Sequence, residues 1–294
     1  MLTELIVDAG SISYWKLFSL VSGSKGFDKN TKNLFLMQES DSGFINLCKE
    51  MELEIVNLID LFNPDKLTIA CDGNKLWRRH FYPEYKGTRA KARAAFPVDW
   101  GKFSIVRDEF LMNLSKIYPF KTLYNKYAEA DDIIAVLTKH LHEEEEIIAV
   151  TGDADIHQLF RFSNFRCYNA KDRKGVDNID WRELINLKVI SGDRGDNIKP
   201  VARGFGPVKA RGVITESEGN LLPYFTKIKL DKQYLLNQRL VNFEFIPKKL
   251  EEMILEQYNN VKIIVPDSSE MAMKSNLEYS EILNLFNRKL FKNA

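Results

Sequence analysis

Short apolar runs that end abruptly in acids recur over the first two hundred residues. "LIVDAG" ends at Asp8, "LTIACDG" at Asp72, and "IIAVTGDAD" at Asp153 and Asp155. Runs of this length, rich in Ile, Val and Leu and closed by turn residues, predict buried strands. A shorter candidate, "TLYNKYAEADD", delivers Glu129, Asp131 and Asp132 to the start of "DDIIAVLTKHLHE", whose apolar residues recur at helical spacing. Strands separated by helices predict an α/β fold, a central and mostly parallel sheet flanked by helices. From about Leu221 the pattern changes, and "LLNQRLVNFEFIPKKLEEMILEQY" reads as helix, bend, helix. We therefore divide the chain into an α/β core over 1–180 and a helical C-terminal domain over 181–294.

That pattern dictates where the acids go. In parallel sheets functional groups collect beyond the carboxyl ends of the strands. Asp8, Asp72, Asp131 and Asp153 should then stand along one edge, with Asp155 turned in beside Asp153. Any one of them has an ordinary alternative as a turn former or helix cap. Gathered together they would repel one another and raise each other's pKa, and divalent cations would relieve the strain. Oxygen ligands suit Mg²⁺ or Mn²⁺, and no His or Cys is spaced to favour zinc.

Composition adds limits. With 294 residues, 45% of them apolar, the chain can bury one large core or two modest ones. No apolar run approaches the roughly 20 residues of a membrane helix, and the start lacks the build of a signal peptide, so a cytoplasmic location is expected. Cys48, Cys71 and Cys167 follow no metal-ligand spacing and read as reduced core residues. His80, His140, His142 and His157 form no constellation, and "EEEE" at 143–146 reads as a solvated helix end. Net charge is +1, but Lys75 to Arg107 holds nine Lys or Arg against Glu84 and Asp99. That segment faces either solvent or something anionic. Further on, Asp193 and Asp196 form another spaced acid pair. Gly204-Phe205-Gly206-Pro207 then opens a stretch bearing Lys209 and Arg211, a plain turn or a backbone phosphate cradle.

"WRRHFYPEYKGTRAKAR", "YAEADDIIAVL", "TGDADIHQL" and "SGDRGDNI", in this order, resemble the structure-specific 5′ nucleases, the family of flap endonucleases and 5′-3′ exonucleases, and within it the bacteriophage ribonuclease H type. The resemblance implies a helical arch over 75–107 and a helix-three-turn-helix element at about 185–215. It matches Asp8, Asp72, Glu129, Asp131, Asp132, Asp153, Asp155, Asp193 and Asp196 to the family's metal-binding acids. Lys86 and Arg89 match arch residues that contact the scissile phosphate, with Tyr85 nearby. Gly204, Gly206 and Lys209 match the hairpin that grips duplex backbone, often with a K⁺ ion, although Arg203 stands where a small or apolar residue is usual. Arg78, Arg79, Lys91 and Arg93 are then expected to guide a strand, with Trp77, Phe81, Tyr82 and Tyr85 either stacking on bases or packing the arch on the core.

The expected chemistry is two-metal phosphodiester hydrolysis. We assign Asp8, Asp72, Glu129 and Asp131 mainly to a first Mg²⁺ and Asp153, Asp155 and Asp193 mainly to a second. The expected substrate is a 5′ end, flap or RNA primer on duplex DNA, cut as RNA or DNA during phage replication in the host cytoplasm. The protein would act as a monomer alongside a polymerase, and a single-strand-binding protein or sliding clamp is a candidate partner. Two rivals stand against this. An aspartate-nucleophile phosphatase needs a second carboxylate two residues after the nucleophile, where this chain has Gly10. An inert nucleic-acid-binding module has no use for acids that repel phosphate. Individually, Asp196 could be only a cap, and Glu129 could pair with Lys126.

Overall fold

The computed structural model describes residues 1–23, 41–94, 96, 98–264 and 267–293. The chain begins with β1 (Leu2–Asp8), α1 (Ala9–Gly23), α2 (Asp41–Phe62) and β2 (Lys66–Cys71). Two short helices, α3 (Arg78–Phe81) and α4 (Arg89–Ala94), precede α5 (Trp100–Leu114) and β3 (Lys121–Tyr124). Then come α6 (Ala130–Leu141), β4 (Glu145–Val150), a 3-10 helix (Ala154–Arg161), β5 (Phe165–Asn169) and β6 (Lys174–Val176). The remainder is helical: α7 (Trp181–Ser191), α8 (Pro207–Glu216), α9 (Leu221–Lys227), α10 (Asp231–Val241), α11 (Lys248–Asn260), α12 (Ser268–Lys274), α13 (Tyr279–Leu285) and α14 (Lys289–Lys292).

Among the described residues the strands form one sheet in the order β3-β2-β1-β4-β5-β6, parallel except for the terminal β6. Strand β1 lies between β2 and β4, with Asp8 opposite Ala70 and Val7 opposite Val150. Its residues alternate between two apolar layers, as a strand covered on both faces must. Leu5 and Val7 pack toward α1, α2 and α5, and Ile6 packs toward α6 and α11. Helix α6 starts where it does because Glu129 and Asp132 form a reciprocal capping box, after which Ile133, Ile134, Val136 and Leu137 are all buried. A third cluster joins α7 to α10 and includes Tyr85. Helices α12 to α14 return to the first layer through Met271, Ile282, Leu285 and Leu290.

The run 143–146 departs from the expected solvated helix end. Glu143 and Glu144 are exposed, but Glu145 is the first residue of β4, buried and 2.5 Å from the Lys66 ammonium. The cause is register: β1 pairs with β4 from Leu2 opposite Glu145, so the edge of the sheet draws in the acid. The expected arch region runs over the carboxyl edge as α3, a turn and α4, with residues 95 and 97 outside those described. No helix among the described residues is long and apolar enough to cross a membrane.

Candidate active site

Strand order reverses beside β1, whose neighbours β2 and β4 lead to opposite sides, so a crevice opens at the carboxyl ends of β1 and β4. Asp8 closes β1 and receives the Ser11 amide at 3.0 Å and the Thr151 hydroxyl at 2.8 Å. Asp72 follows β2 and accepts the Ala130 amide at 3.0 Å, tying it to the start of α6. Asp131 stands in the first turn of α6. Asp153 follows β4 and caps the 3-10 helix, accepting the Asp155 amide at 2.9 Å. These four acids line one cavity of about 540 Å³ with Lys86 and Arg89. Gly10 leaves the space between two of them open, since a Cβ there would stand 3.2 Å from an oxygen of both Asp8 and Asp72.

Crowding shows in the proton affinities. Burial, reinforced by Asp72 and Asp153, pushes Asp8 up to about 6 against the Ser11 and Thr151 hydrogen bonds. Burial, together with Asp153 and Asp8, raises Asp131 well above the usual carboxylate range. Among the described residues neither side chain forms an ion pair, and Lys86 offsets only part of the rise at Asp131. The donor set is all oxygen, which fits a hard divalent cation. Among the described residues, no group of three or more His, Cys, Asp or Glu side chains is disposed to hold one metal ion as it stands.

The other acids already hold cations. Burial works against Glu129, but Lys86 and Arg78 outweigh it and keep its pKa low; Lys86 bonds one oxygen and Arg78 Nη1 lies 2.8 Å from the other. Asp196 accepts Arg89 at 2.7 Å. Lys188 bridges Asp155 and, at 2.9 Å, Asp193. Burial nevertheless lifts Asp155 to about 6, while the Lys188 ammonium overcomes burial at Asp193 and lowers it. Asp132 is fully buried between Trp77 Nε1 at 3.0 Å and Arg78, turned away from the cavity.

Several expected strand-guiding residues stand elsewhere. Arg78 is 2% exposed, with Nε donating to the Leu240 carbonyl at 2.8 Å, so it braces α10 rather than facing a ligand. Tyr85 is buried, its hydroxyl 3.0 Å from Glu129 and 2.8 Å from Asp196, and cannot stack on a base. Trp77 is buried as well, whereas Phe81 is exposed. Glu129 pairs with Lys86 and Arg78 and not with Lys126. Lys91 is exposed on α4, and Arg93 packs over Tyr14 and Trp100. Arg79, Arg89, Arg93 and Arg107 line a second cavity of about 540 Å³ that shares Asp72, Lys86 and Arg89 with the first.

Away from the cavity, Gly204 adopts φ 87°, which favours glycine, and Gly206 caps α8. The Lys209 ammonium lies 3.9 Å from the Phe205 ring centre, Arg203 is exposed, and Arg211 pairs with Glu183 at 3.1 Å. Sequence reasoning missed Lys188 and Thr151. Lys188 has Asp193 five residues on, but its other carboxylate, Asp155, lies 33 residues back, and only the fold brings both to one ammonium. Thr151 stood in plain view before "GDAD" as a hydroxyl at a strand end.

Acids at the carboxyl edge of a parallel sheet, faced by Lys86 and Arg89, set oxygen donors for a hard cation beside groups that attract phosphate. Residues 4–186, more than half the chain, match the 5′-3′ exonuclease, N-terminal resolvase-like domain family, and the chain belongs to that family of nucleases. It is 27% identical to the ribonuclease H of Enterobacteria phage T4 over 221 residues, 67% of this chain and 71% of that protein. It is 32% identical to the flap endonuclease of Escherichia phage T5 over 187 residues, 58% of this chain and 62% of that one. In structure it is similar to a bacteriophage T5 flap endonuclease solved as a pseudo-enzyme–product complex with DNA and metal ions. The TM-score is 0.64 at 21% identity, over 88% of this chain and 100% of the other, a likeness of fold.

Proposed function

We propose that this nuclease hydrolyses phosphodiester bonds near the 5′ end of a strand, RNA or DNA, borne on duplex DNA, with Asp8, Asp72, Asp131 and Asp153 as the principal holders of Mg²⁺ or Mn²⁺. The observation that carries the reading is the set of these four acids around one cavity, none of them in an ion pair among the described residues, opposite Lys86 and Arg89. Divalent cations, when bound, supply an acidified water and neutralise charge on the phosphoryl and leaving oxygens. Carboxylates that reach the ion through its retained waters need not close a tight cage. Asp155 and Asp193, with Asp196 nearby, would hold a second ion once Lys188 and Arg89 give way.

Lys86 and Arg89 have a separate role. Their side chains neutralise Glu129 and Asp196 in the free protein and would turn to the phosphate, where a preorganised donor stabilises the charge that grows during cleavage. Arg79 and Arg93 would guide the strand through the neighbouring cavity by sequence-independent phosphate contacts, so selectivity is for shape. Gly204, Gly206, Lys209 and Arg211 would hold the duplex backbone, with K⁺ as a candidate ion at that turn.

The test is cleavage of a 5′-labelled flap duplex and an RNA–DNA hybrid in Mg²⁺ or EDTA, with wild type and Asp153→Ala. Metal-dependent release of 5′ fragments, abolished by the substitution, is expected. Binding of duplex without cleavage by the wild type would overturn the assignment.

A further inference from the structure

Lys86 sits in the left-handed backbone region, at φ 56°, where its Cβ is crowded against its own backbone. A lysine holds that conformation only if its surroundings enforce it. Its side chain does not, because the contacts to Glu129 and Asp196 are the ones a substrate phosphate would displace. Two hydrogen bonds with the loop after α7 do. The Lys86 amide donates to the Asp196 carbonyl at 2.9 Å, and Asn197 Nδ2 donates to the Glu84 carbonyl at 2.9 Å. That loop is stiff in turn. Asp193 and Ile198 exchange backbone bonds of 2.9 and 2.7 Å, and Ile198 and Val201 are buried in the same cluster as Tyr85. Buried Asn237 ties the Val189 and Lys199 carbonyls to α10 at 2.8 Å each.

We propose that Asn197 is a positioning residue for Lys86: its amide holds the Glu84–Gly87 turn in the strained form that aims the lysine into the acid-lined cavity. This rests on the cleavage role given to Lys86 above. Asn197 is itself left-handed, at φ 59°, which asparagine tolerates and which places its amide under the turn. Without that donor the Glu84 carbonyl keeps only the Gly87 amide at 2.9 Å, and the loop holds the strained Lys86 through the Asp196 carbonyl alone. The loop then links the duplex-facing hairpin after Ile198 to the residue proposed to act on the phosphate.

Asn197→Gly keeps the backbone conformation and removes the donor, and Asn197→Asp keeps the shape but turns an acceptor toward the Glu84 carbonyl. Both should slow single-turnover cleavage of the flap duplex about tenfold or more, as small misplacements of reacting groups do, with dissociation constants within about twofold of wild type. In a Lys86→Ala background neither should slow cleavage further, because the effect runs through that side chain. Amide exchange should also quicken at Lys86. An unchanged rate, or the same loss with and without Lys86, would overturn the proposal. If the wild type itself does not cleave, the functional reading falls and amide exchange decides alone: faster exchange in the variants supports the clamp, and unchanged exchange refutes it.

Discussion

Replacing Asp8 by Asn should make the metal-free protein more stable while ending cleavage. Asp8 titrates at about 6 in the fold against an ordinary 3.8. At about 1.4 kcal/mol per tenfold change in proton affinity, keeping it ionised at neutral pH costs the metal-free fold about 3 kcal/mol. Because the folded pKa lies above the unfolded one, stability falls as pH rises from about 4 through 6. Asn is neutral throughout and keeps the Ser11 amide, but it weakens the 2.8 Å bond from Thr151, a loss of about 1 kcal/mol. The net gain at pH 7.5 in EDTA is about 2 kcal/mol. It should vanish below pH 4, where Asp8 is protonated in both states. Urea unfolding at pH 7.5 and 4, with EDTA or Mg²⁺, measures it. Mg²⁺ should raise the wild-type midpoint and leave that of the variant nearly unchanged. A variant that is less stable at pH 7.5, or a gain independent of pH, would refute the claim that crowding at the sheet edge strains the free protein.

Lys86→Ala should lower single-turnover cleavage by about 10²-fold with little change in duplex affinity, and a loss confined to affinity would remove its transition-state role. Arg78→Ala strips the buried partner from Glu129 and Asp132 and frees the Leu240 carbonyl. It should cost about 3–5 kcal/mol, a fall in melting temperature on the order of 10 °C; an unchanged melting temperature would contradict its bracing role. Lys188→Met leaves Asp155 and Asp193 without their cation. It should destabilise the protein in EDTA and be rescued by Mg²⁺, and failure of that rescue would argue against a cation at this pair. Lys209→Ala should weaken duplex binding and reduce the slope of log affinity against log salt by about 1, as measured by titration at several salt concentrations.

Asp8, Asp72, Asp131 and Asp153 were legible as neighbours because the rule that gathers them is local. Each ends an apolar run or opens the helix that follows one, and parallel strands bring their carboxyl ends to the same edge. The hydrophobic pattern likewise sufficed for the α/β sheet, for α6 with its capping pair and for the helix-bend-helix of α10 and α11. What each charged residue faces was not legible. Arg78 and Arg79 are adjacent and chemically alike, yet one is buried under α10 and the other is exposed. Tyr85 reads as an aromatic in a basic segment, and only packing against the α7 to α10 cluster shows its hydroxyl committed to Glu129 and Asp196. Which acids are neutralised and which stay crowded depends on partners such as Lys188 for Asp155 and Arg89 for Asp196, dozens of residues away along the chain. Periodicity records which face of an element is apolar, a property of neighbours in the chain. The pairing of charges is a property of neighbours in space, and tertiary structure alone decided it.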